Sequence, residues 1–316
     1  MRELILAYDT SNYTTSAALV DTDGELVVNL KIPLPVKEGE RGLRQSDALF
    51  HHTVQLPMLA EKIRECAVGA RIVAVGVSER PRNVEGSYMP CFLAGVSAAE
   101  VASAVLSVPL YRFSHQCGHI MAALYSAGVW RNPPTELAAF HVSGGTTELL
   151  RVSPLEHSFC AEIVGGTKDL NAGQVIDRVG VAMGLGFPAG AQLERLALGN
   201  EKKIPKRKIS RVGTEVNLSG LENIALSLYK ESRDPSLVGA FVFDYVGRAL
   251  IEMSEAYREK FGETKFLFAG GVMSNSTIKK MISERIDALF AEPRLSADNA
   301  VGVAVLALRK YLKENA

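Results

Sequence analysis

Cysteine is scarce in this chain: Cys66, Cys91, Cys117 and Cys160 are the only four among 316 residues, and no two form a Cys-x-x-Cys pair. That spacing disfavours a structural zinc site and points to reduced thiols. Neither charge is in excess, with lysine plus arginine and aspartate plus glutamate at 35 each. Overall charge therefore gives no support for non-specific binding to nucleic acid or membranes. No apolar run reaches about 18 residues, which argues against a membrane span. The opening residues Met1 to Asp9 also lack the long apolar stretch of a signal peptide, so a cytoplasmic protein is expected. Low-complexity segments and long Gly/Ser linkers are missing too. What is present is 47% hydrophobic residues, enough for a sizeable core and, by length, about two domains.

Leu4 to Tyr8 is a short apolar run ending in the polar turn Asp9 to Thr15. Ser16 to Val20 is a second strand, closed by the turn signal Asp21-Thr22-Asp23-Gly24. A β-hairpin leading into a further strand is expected. The same layout returns at Leu137 to Val142, the turn Ser143-Gly144-Gly145-Thr146-Thr147 and the strand Glu148 to Val152, which predicts an internal duplication. Helical stretches follow in each half, at 46–65 and 94–106 and again at 172–183 and 237–261, with strands at 72–77 and 265–269 between them. This alternation predicts an α/β fold with a mixed sheet in each half.

His115-Gln116-Cys117-Gly118-His119 stands at a strand-to-helix junction. Imidazoles four residues apart share one helical face and can grip one divalent metal. A third ligand must come from elsewhere, and Asp298, in the run Leu295 to Ala300, is the remote carboxylate that fits. An isolated pair of this spacing is more often structural, so the metal reading requires that the chain bring Asp298 to the histidines. Cys117, two residues from each histidine, points to another helical face and is not expected to be a ligand.

Several turns could offer backbone amides to an anion: Ser143 to Thr147, Ser11 with Asn12, and Gly270-Gly271 in the run Phe268 to Asn275. A single Gly-Gly is more often a hairpin turn, but three such turns in order carry more weight. Asp169 to Asp177 opens a helix, with Asp169 as N-cap and with Gln174 and Asp177 on one face, either reaching a ribose or simply exposed. Gly190 follows the next turn and either approaches a sugar or closes the loop. The cationic run Lys202-Lys203-Ile204-Pro205-Lys206-Arg207-Lys208 reads as a solvated loop or as a contact for RNA phosphates.

Taken together, these stretches resemble the TsaD family, also called Gcp or the glycoprotease family, whose members transfer a threonylcarbamoyl group to an adenosine beside the anticodon of certain tRNAs. The resemblance covers nearly the whole chain. It rests on Asp9-Thr10-Ser11, on the His-x-x-Gly-His motif of His115, Gly118 and His119, on Ser143-Gly144-Gly145 and on Asp169 to Asp177. It continues with Ser219-Gly220-Leu221, Ala269 to Asn275 and Asp298-Asn299. The resemblance implies an α/β, two-lobed actin-like ATPase (ASKHA) fold with duplicated mixed-sheet domains. One lobe is then 1–109 with a C-terminal helix 300–316 packing back, and the second is 110–299, carrying the metal and nucleotide loops. It also implies one divalent ion, iron or zinc, on His115, His119 and Asp298. An adenylate-type ligand, threonylcarbamoyl-AMP or ATP, is implied between the lobes, near Ser11, Asn12, Ser143, Gly144, Gly145, Thr146, Asp177, Gly190, Gly270, Gly271 and Asn275. The implied partners are tRNA and TsaB-like and TsaE-like proteins of the threonylcarbamoyl-adenosine pathway, with no membrane.

The chain departs from the family pattern at four of these positions. Cys117 stands where the family has glutamate, Thr146 where it has histidine, and Leu170 and Gln174 where it has a second aspartate and a glutamate. The chain is also short for the family, so a loop that positions tRNA is expected to be reduced. These departures mark a divergent paralogue. They keep open, beside the transferase, a noncatalytic nucleotide-binding paralogue or regulatory subunit of the same fold. A metallopeptidase is disfavoured because the glutamate of a His-Glu-x-x-His site is absent, while a carbohydrate or acid kinase is compatible with the fold.

Overall fold

The computed structural model describes residues 1–11, 13–35, 43–156, 158–296 and 298–316. In chain order the elements are β1 (Arg2–Asp9), β2 (Thr14–Asp21), β3 (Leu26–Pro33), α1 (Gln45–Cys66), β4 (Ala70–Arg80), α2 (Phe92–Leu106), β5 (Leu110–Ser114) and α3 (His115–Ser126). They continue with β6 (Leu137–Val142), β7 (Thr147–Leu155), β8 (Ser158–Thr167), α4 (Ala172–Ala182), α5 (Gly190–Ala197), β9 (Ser210–Val212), β10 (Glu215–Asn217), α6 (Ser219–Ser232) and α7 (Pro235–Phe261). The last are β11 (Lys265–Ala269), α8 (Ser276–Ser283), β12 (Ala288–Phe290), α9 (Pro293–Ser296) and α10 (Val301–Glu314). None of the described helices is long and apolar enough to cross a membrane.

The first sheet runs β3-β2-β1-β4-β5 and the second β12-β11-β6-β7-β8-β10-β9. Read from β8 to β12, the second repeats the first, with β6, β7, β8, β11 and β12 in the places of β1 to β5. The duplication predicted from two similar openings is therefore present in the strand order. Both sheets are mixed: β1 pairs antiparallel with β2 and parallel with β4, while β6 pairs antiparallel with β7 and parallel with β11.

The chain divides into two compact units, Met1–Thr135 with Ser153–Ala161 and Arg294–Ala316, and Glu136–Val152 with Glu162–Pro293. The boundary thus falls after Thr135 rather than at 109/110. The reason is pairing and packing: β5 is hydrogen-bonded to β4, and α3 packs on α10. Both histidines of the metal motif belong to the first unit.

In the first unit β1 is central, which explains its near-continuous apolar sequence and burial from Leu4 through Asp9. Leu4, Leu6, Tyr8, Val75 and Val77 share a core with Leu56, Leu59 and Ile63 of α1, spaced three and four apart along one helical face. In the second unit α7 is buried over most of its 27 residues, as befits a helix apolar nearly all round. Asp234 starts it, accepting from the amides of Ser236 and Leu237, with Pro235 pre-set at the first position. Phe140 of β6 stacks on Phe268 of β11 with centroids 4.7 Å apart.

One crossing governs the first unit. A Cβ on Gly302 of α10 would stand 1.8 Å from the carbonyl oxygen of Gly118 in α3, and one on Gly118 would stand 3.0 Å from Val303 Cγ2. The helices pass so closely that position 302 excludes a side chain, while one at 118 would press on the Val303 side chain. Gly76 of β4 is the third contact, where a Cβ would lie 2.9 Å from Ala307 Cβ.

Gly302→Ala is expected to lower resistance to urea by about 2–3 kcal/mol through overpacking. Gly220→Ala in α6, where a Cβ meets nothing within 4 Å, should instead be neutral or gain up to ~1 kcal/mol. Equal effects of the two substitutions would remove the crossing as a constraint.

Candidate functional site

The parallel strands β1, β4 and β5 end together, at Asp9, Arg80 and Ser114. Ser114 caps α3, its hydroxyl accepting from the amide of Cys117 at 3.3 Å. His115 is the first helical residue and His119 lies one turn on, with ring centroids 4.3 Å apart. Asp298 arrives from the bend before α10. Asn299 holds that bend, donating to Leu295 O and accepting from the amide of Val301, each at 2.9 Å. Asp298 Oδ1 stands 3.2 Å from His119 Nε2 and 3.6 Å from His115 Nε2.

His115, His119 and Asp298 each offer one ligand atom, and the three atoms lie within 4.8 Å of one another. Donors about 2.1 Å from a common ion at roughly 90–110° stand about 3.0–3.4 Å apart; the 3.2 Å between Asp298 and His119 falls in that window and the 3.6 Å between Asp298 and His115 lies just outside it. Two imidazoles and one carboxylate suit iron or zinc and leave positions open, as a reactive centre needs and a closed structural site lacks.

Asp9, which the sequence reading left among turn residues, orients the first ligand. Its carboxylate is fully buried, with Oδ2 at 2.8 Å from His115 Nδ1. Its Oδ1 accepts from the amide and hydroxyl of Ser11 at 2.9 and 2.5 Å. A carboxylate on the far nitrogen fixes the tautomer and turns Nε2 toward the ion. Burial alone would push His115 down and Asp9 up. Their mutual attraction and hydrogen bond reverse both, holding His115 above and Asp9 well below its ordinary value. Burial likewise raises Asp298, but the hydrogen bond from His119 and the attraction of both imidazoles leave it low. A proton and an ion therefore compete for His115, and the ion is favoured as pH rises through that raised value.

Cys117 lies on the opposite, buried face of α3. Its sulfur accepts from Ser114 Oγ at 3.1 Å, Asn83 Nδ2 at 3.2 Å and Ser158 Oγ at 3.3 Å, and its thiol donates to Phe159 O at 3.1 Å. Asn83 also donates to Phe159 O at 2.8 Å.

In the second unit, β6 and β11 run parallel with His141 opposite Ala269, so the Ser143 turn and Gly270-Gly271 leave the sheet side by side. Ser143 closes its turn, its amide donating to Thr146 O at 2.7 Å and its hydroxyl accepting from the amides of Gly145 and Thr146. A Cβ on Gly144, Gly145 or Gly271 meets nothing within 4 Å, leaving backbone open to a ligand. Gly270 has φ +104, and a Cβ there would stand 2.3 Å from Val142 O. Gly173 was not foreseen: α4 begins so close beneath the turn that a Cβ on it would lie 2.7 Å from Gly144 Cα and Ser143 O.

The remaining residues of the sequence reading have structural partners. Asp177 accepts from the amide of Ala189 at 2.8 Å, setting Gly190 at the start of α5. Glu194 of α5 accepts from the amide and hydroxyl of Ser276 at 2.7 and 2.6 Å. Asn275 caps α8, accepting from the amide of Ile278 at 2.9 Å. Gly271–Ser274 forms a 3-10 turn, so β11 does not pass directly into a helix. Asp169 is not the cap of α4. Asn171 is, with Gln174 completing a capping box, while Asp169 clamps the start of α6 by accepting from Leu218 N, Ser219 N and Ser219 Oγ. These links gather the Ser143 turn and the starts of α4, α5 and α8. Ser11 instead belongs to the first unit, beside Asp9, and Asn12 lies outside the described residues.

Two mixed sheets of matching strand order, each ending in loops at the carboxyl ends of its parallel strands, define an actin-like ATPase (ASKHA) fold. Solved structures agree: the chain is similar to an activator of 2-hydroxyisocaproyl-CoA dehydratase from Clostridium difficile, with TM-score 0.53, 14% identity and coverage of 100% of this chain and 98% of that one. It is also similar to a ROK family glucokinase from Streptomyces griseus, with TM-score 0.51, 13% identity and coverage of 96% and 98%. Within that fold the sequence is specific. The family model for TsaD, tRNA N6-adenosine threonylcarbamoyltransferase, matches residues 38–305, and the chain belongs to this family. A tRNA N6-adenosine threonylcarbamoyltransferase of Streptococcus suis is 30% identical over 327 residues, covering 99% of this chain and 94% of that protein.

Asp9→Asn is expected to lower metal affinity roughly 10- to 100-fold with the far-ultraviolet circular dichroism unchanged, as read by competition with a chelator. Unaltered affinity would remove Asp9 from the centre. Cys117→Ser should keep full metal content by elemental analysis. A lost ion would place the sulfur among the ligands.

Proposed function

We propose that this protein transfers a threonylcarbamoyl group from threonylcarbamoyl-AMP to the exocyclic amine of an adenosine next to the anticodon of tRNA, with a divalent ion, iron or zinc, on His115, His119 and Asp298. The observation that carries the reading is the convergence of these three side chains in a chain of the TsaD family. The adenosine amine attacks the carbamoyl carbon. A nitrogen–carbon bond forms, the bond from that carbon to the phosphate oxygen breaks, AMP departs with the bonding pair, and the amine releases a proton. When bound, the ion supplies Lewis-acid stabilisation of developing negative charge, worth several kcal/mol. Asp9 takes the hydrogen bond of His115 Nδ1, so that in the neutral ring Nε2 is the nitrogen left to coordinate, and it holds the ring turned for that role. In the second unit, the open backbone at Gly144, Gly145 and Gly271 suits a phosphate of an adenylate-type ligand, threonylcarbamoyl-AMP or ATP. TsaB-like and TsaE-like proteins are the proposed partners, and the cytoplasm is the compartment in which tRNA would be met.

The test is an assay of purified protein with threonylcarbamoyl adenylate and unmodified tRNA, alone and with those partners. Wild-type protein should form product. His115→Ala, His119→Ala and Asp298→Ala should each lose on the order of 10²–10³-fold, the equivalent of about 3–4 kcal/mol. A wild type that binds nucleotide yet makes no product under any condition would establish the noncatalytic paralogue instead.

A further inference from the structure

The cationic run 202–208 has no helix or strand of its own, yet it is held in place. Lys202 Nζ pairs with Asp234 Oδ2 at 2.7 Å and Lys206 Nζ with Asp244 Oδ1 at 2.5 Å. The two acids sit ten residues apart on α7, about 15 Å along its axis. The run is therefore tied at two points to α7 and its N-cap. The backbone is held as well. Arg248 Nη1 donates to Arg207 O at 2.9 Å and Tyr245 OH to Lys208 O at 3.3 Å. Ile204 packs against the core and Ile209 is buried within it. Asp244 is itself shared with Arg248, whose Nε lies 2.8 Å from Oδ2. The anchoring acids are thus neutralised by the anchoring cations.

All five cations of the run are exposed, and Lys203, Arg207 and Lys208 have no ion-pair partner among the described residues. Two ion pairs, two backbone hydrogen bonds and two apolar anchors hold the loop in place. Fixing the backbone in advance removes part of the ordering cost of binding. Outward cations spread over up to about 18 Å match a row of negative charges rather than one small anion. We propose that residues 203–208 form a docking strip for the phosphodiester backbone of tRNA. This rests on the transferase reading and adds a surface outside the metal centre.

The experiment compares the full-length wild type with the triple variants K203E/R207E/K208E and K203A/R207A/K208A, by fluorescence anisotropy on unmodified tRNA across a salt series. Metal content and thermal unfolding serve as checks on folding. The reversed variant should bind on the order of 10²-fold more weakly at low salt. In both variants the slope of log affinity against log salt should fall by about 3, one for each phosphate contact removed, the affinity of the alanine variant should lie between, and the loss should reappear as a raised KM for tRNA. Unchanged affinity and slope, in a wild type that binds tRNA and forms product, would overturn the strip and leave the transferase standing. Loss only of association with a TsaB-like partner would also overturn it, assigning the surface to a protein. A wild type that binds tRNA through the strip but forms no product would instead overturn the transferase reading alone.

Discussion

The close crossing of α3 and α10 at Gly118 and Gly302 is the contact on which the meeting of His115, His119 and Asp298 depends. The two histidines lie on one helix, one turn apart, and Asp298 lies three residues before the other. Nothing local brings residue 298 to residues 115 and 119; the backbone of one helix must be nearly in contact with the backbone of the other. A side chain at Gly302 would lever α10 away from α3, and the carboxylate would move with it, while one at Gly118 would press on Val303 of α10. The glycine inside the His-x-x-Gly-His motif is therefore a packing residue. It has no chemistry of its own, but it sets the distance at which the ligands meet.

The duplicated strand order puts the two halves to different uses. In each sheet the parallel strands leave their loops at one end, where backbone groups are free of sheet pairing and available to a ligand. The first unit fills that end with side chains directed at one another: Asp9 from β1, the two histidines after β5, and Asp298. The second unit fills it with glycines that keep side chains out, at Ser143–Thr147 and Gly270-Gly271, with Gly173 letting a helix start close beneath them. One architecture thus supports two kinds of recognition, one by directed side chains and one by open backbone.

Much of this was legible in the sequence, and what escaped has a common cause. Strands and helices with clear periodicity, such as Lys265–Ala269 and the long helix ending at Phe261, were read within a few residues because their patterns are local. The His115/His119 pair was read from helical spacing. Asp9 was not identified as its orienting partner, since 106 residues separate it from His115 and only the parallel placement of β1, β4 and β5 closes that gap. Asp169 was misplaced as a cap because an acid before a helix is locally a good cap; its actual partners, at Leu218 and Ser219, are remote. The lobe boundary was drawn too early for the same reason, because the β5–β4 ladder and the α3–α10 crossing are contacts between distant segments.

Cys117 stands where the family carries an acid, and its surroundings show what that exchange entails. The thiol is almost fully buried and donates to Phe159 O, while Asn83 and Ser158 donate to the sulfur. An ionised carboxylate only accepts hydrogen bonds, so against that carbonyl it would be left with an unfavourable neighbour in a site poor in water. The neighbours are matched to a neutral group that can both donate and accept. Cys117 is confined to the buried face of α3, whereas His115 and His119 occupy the other face, and His115 takes its orientation from Asp9. The thiol of Cys117 and the cluster of His115, His119 and Asp298 are therefore physically separate.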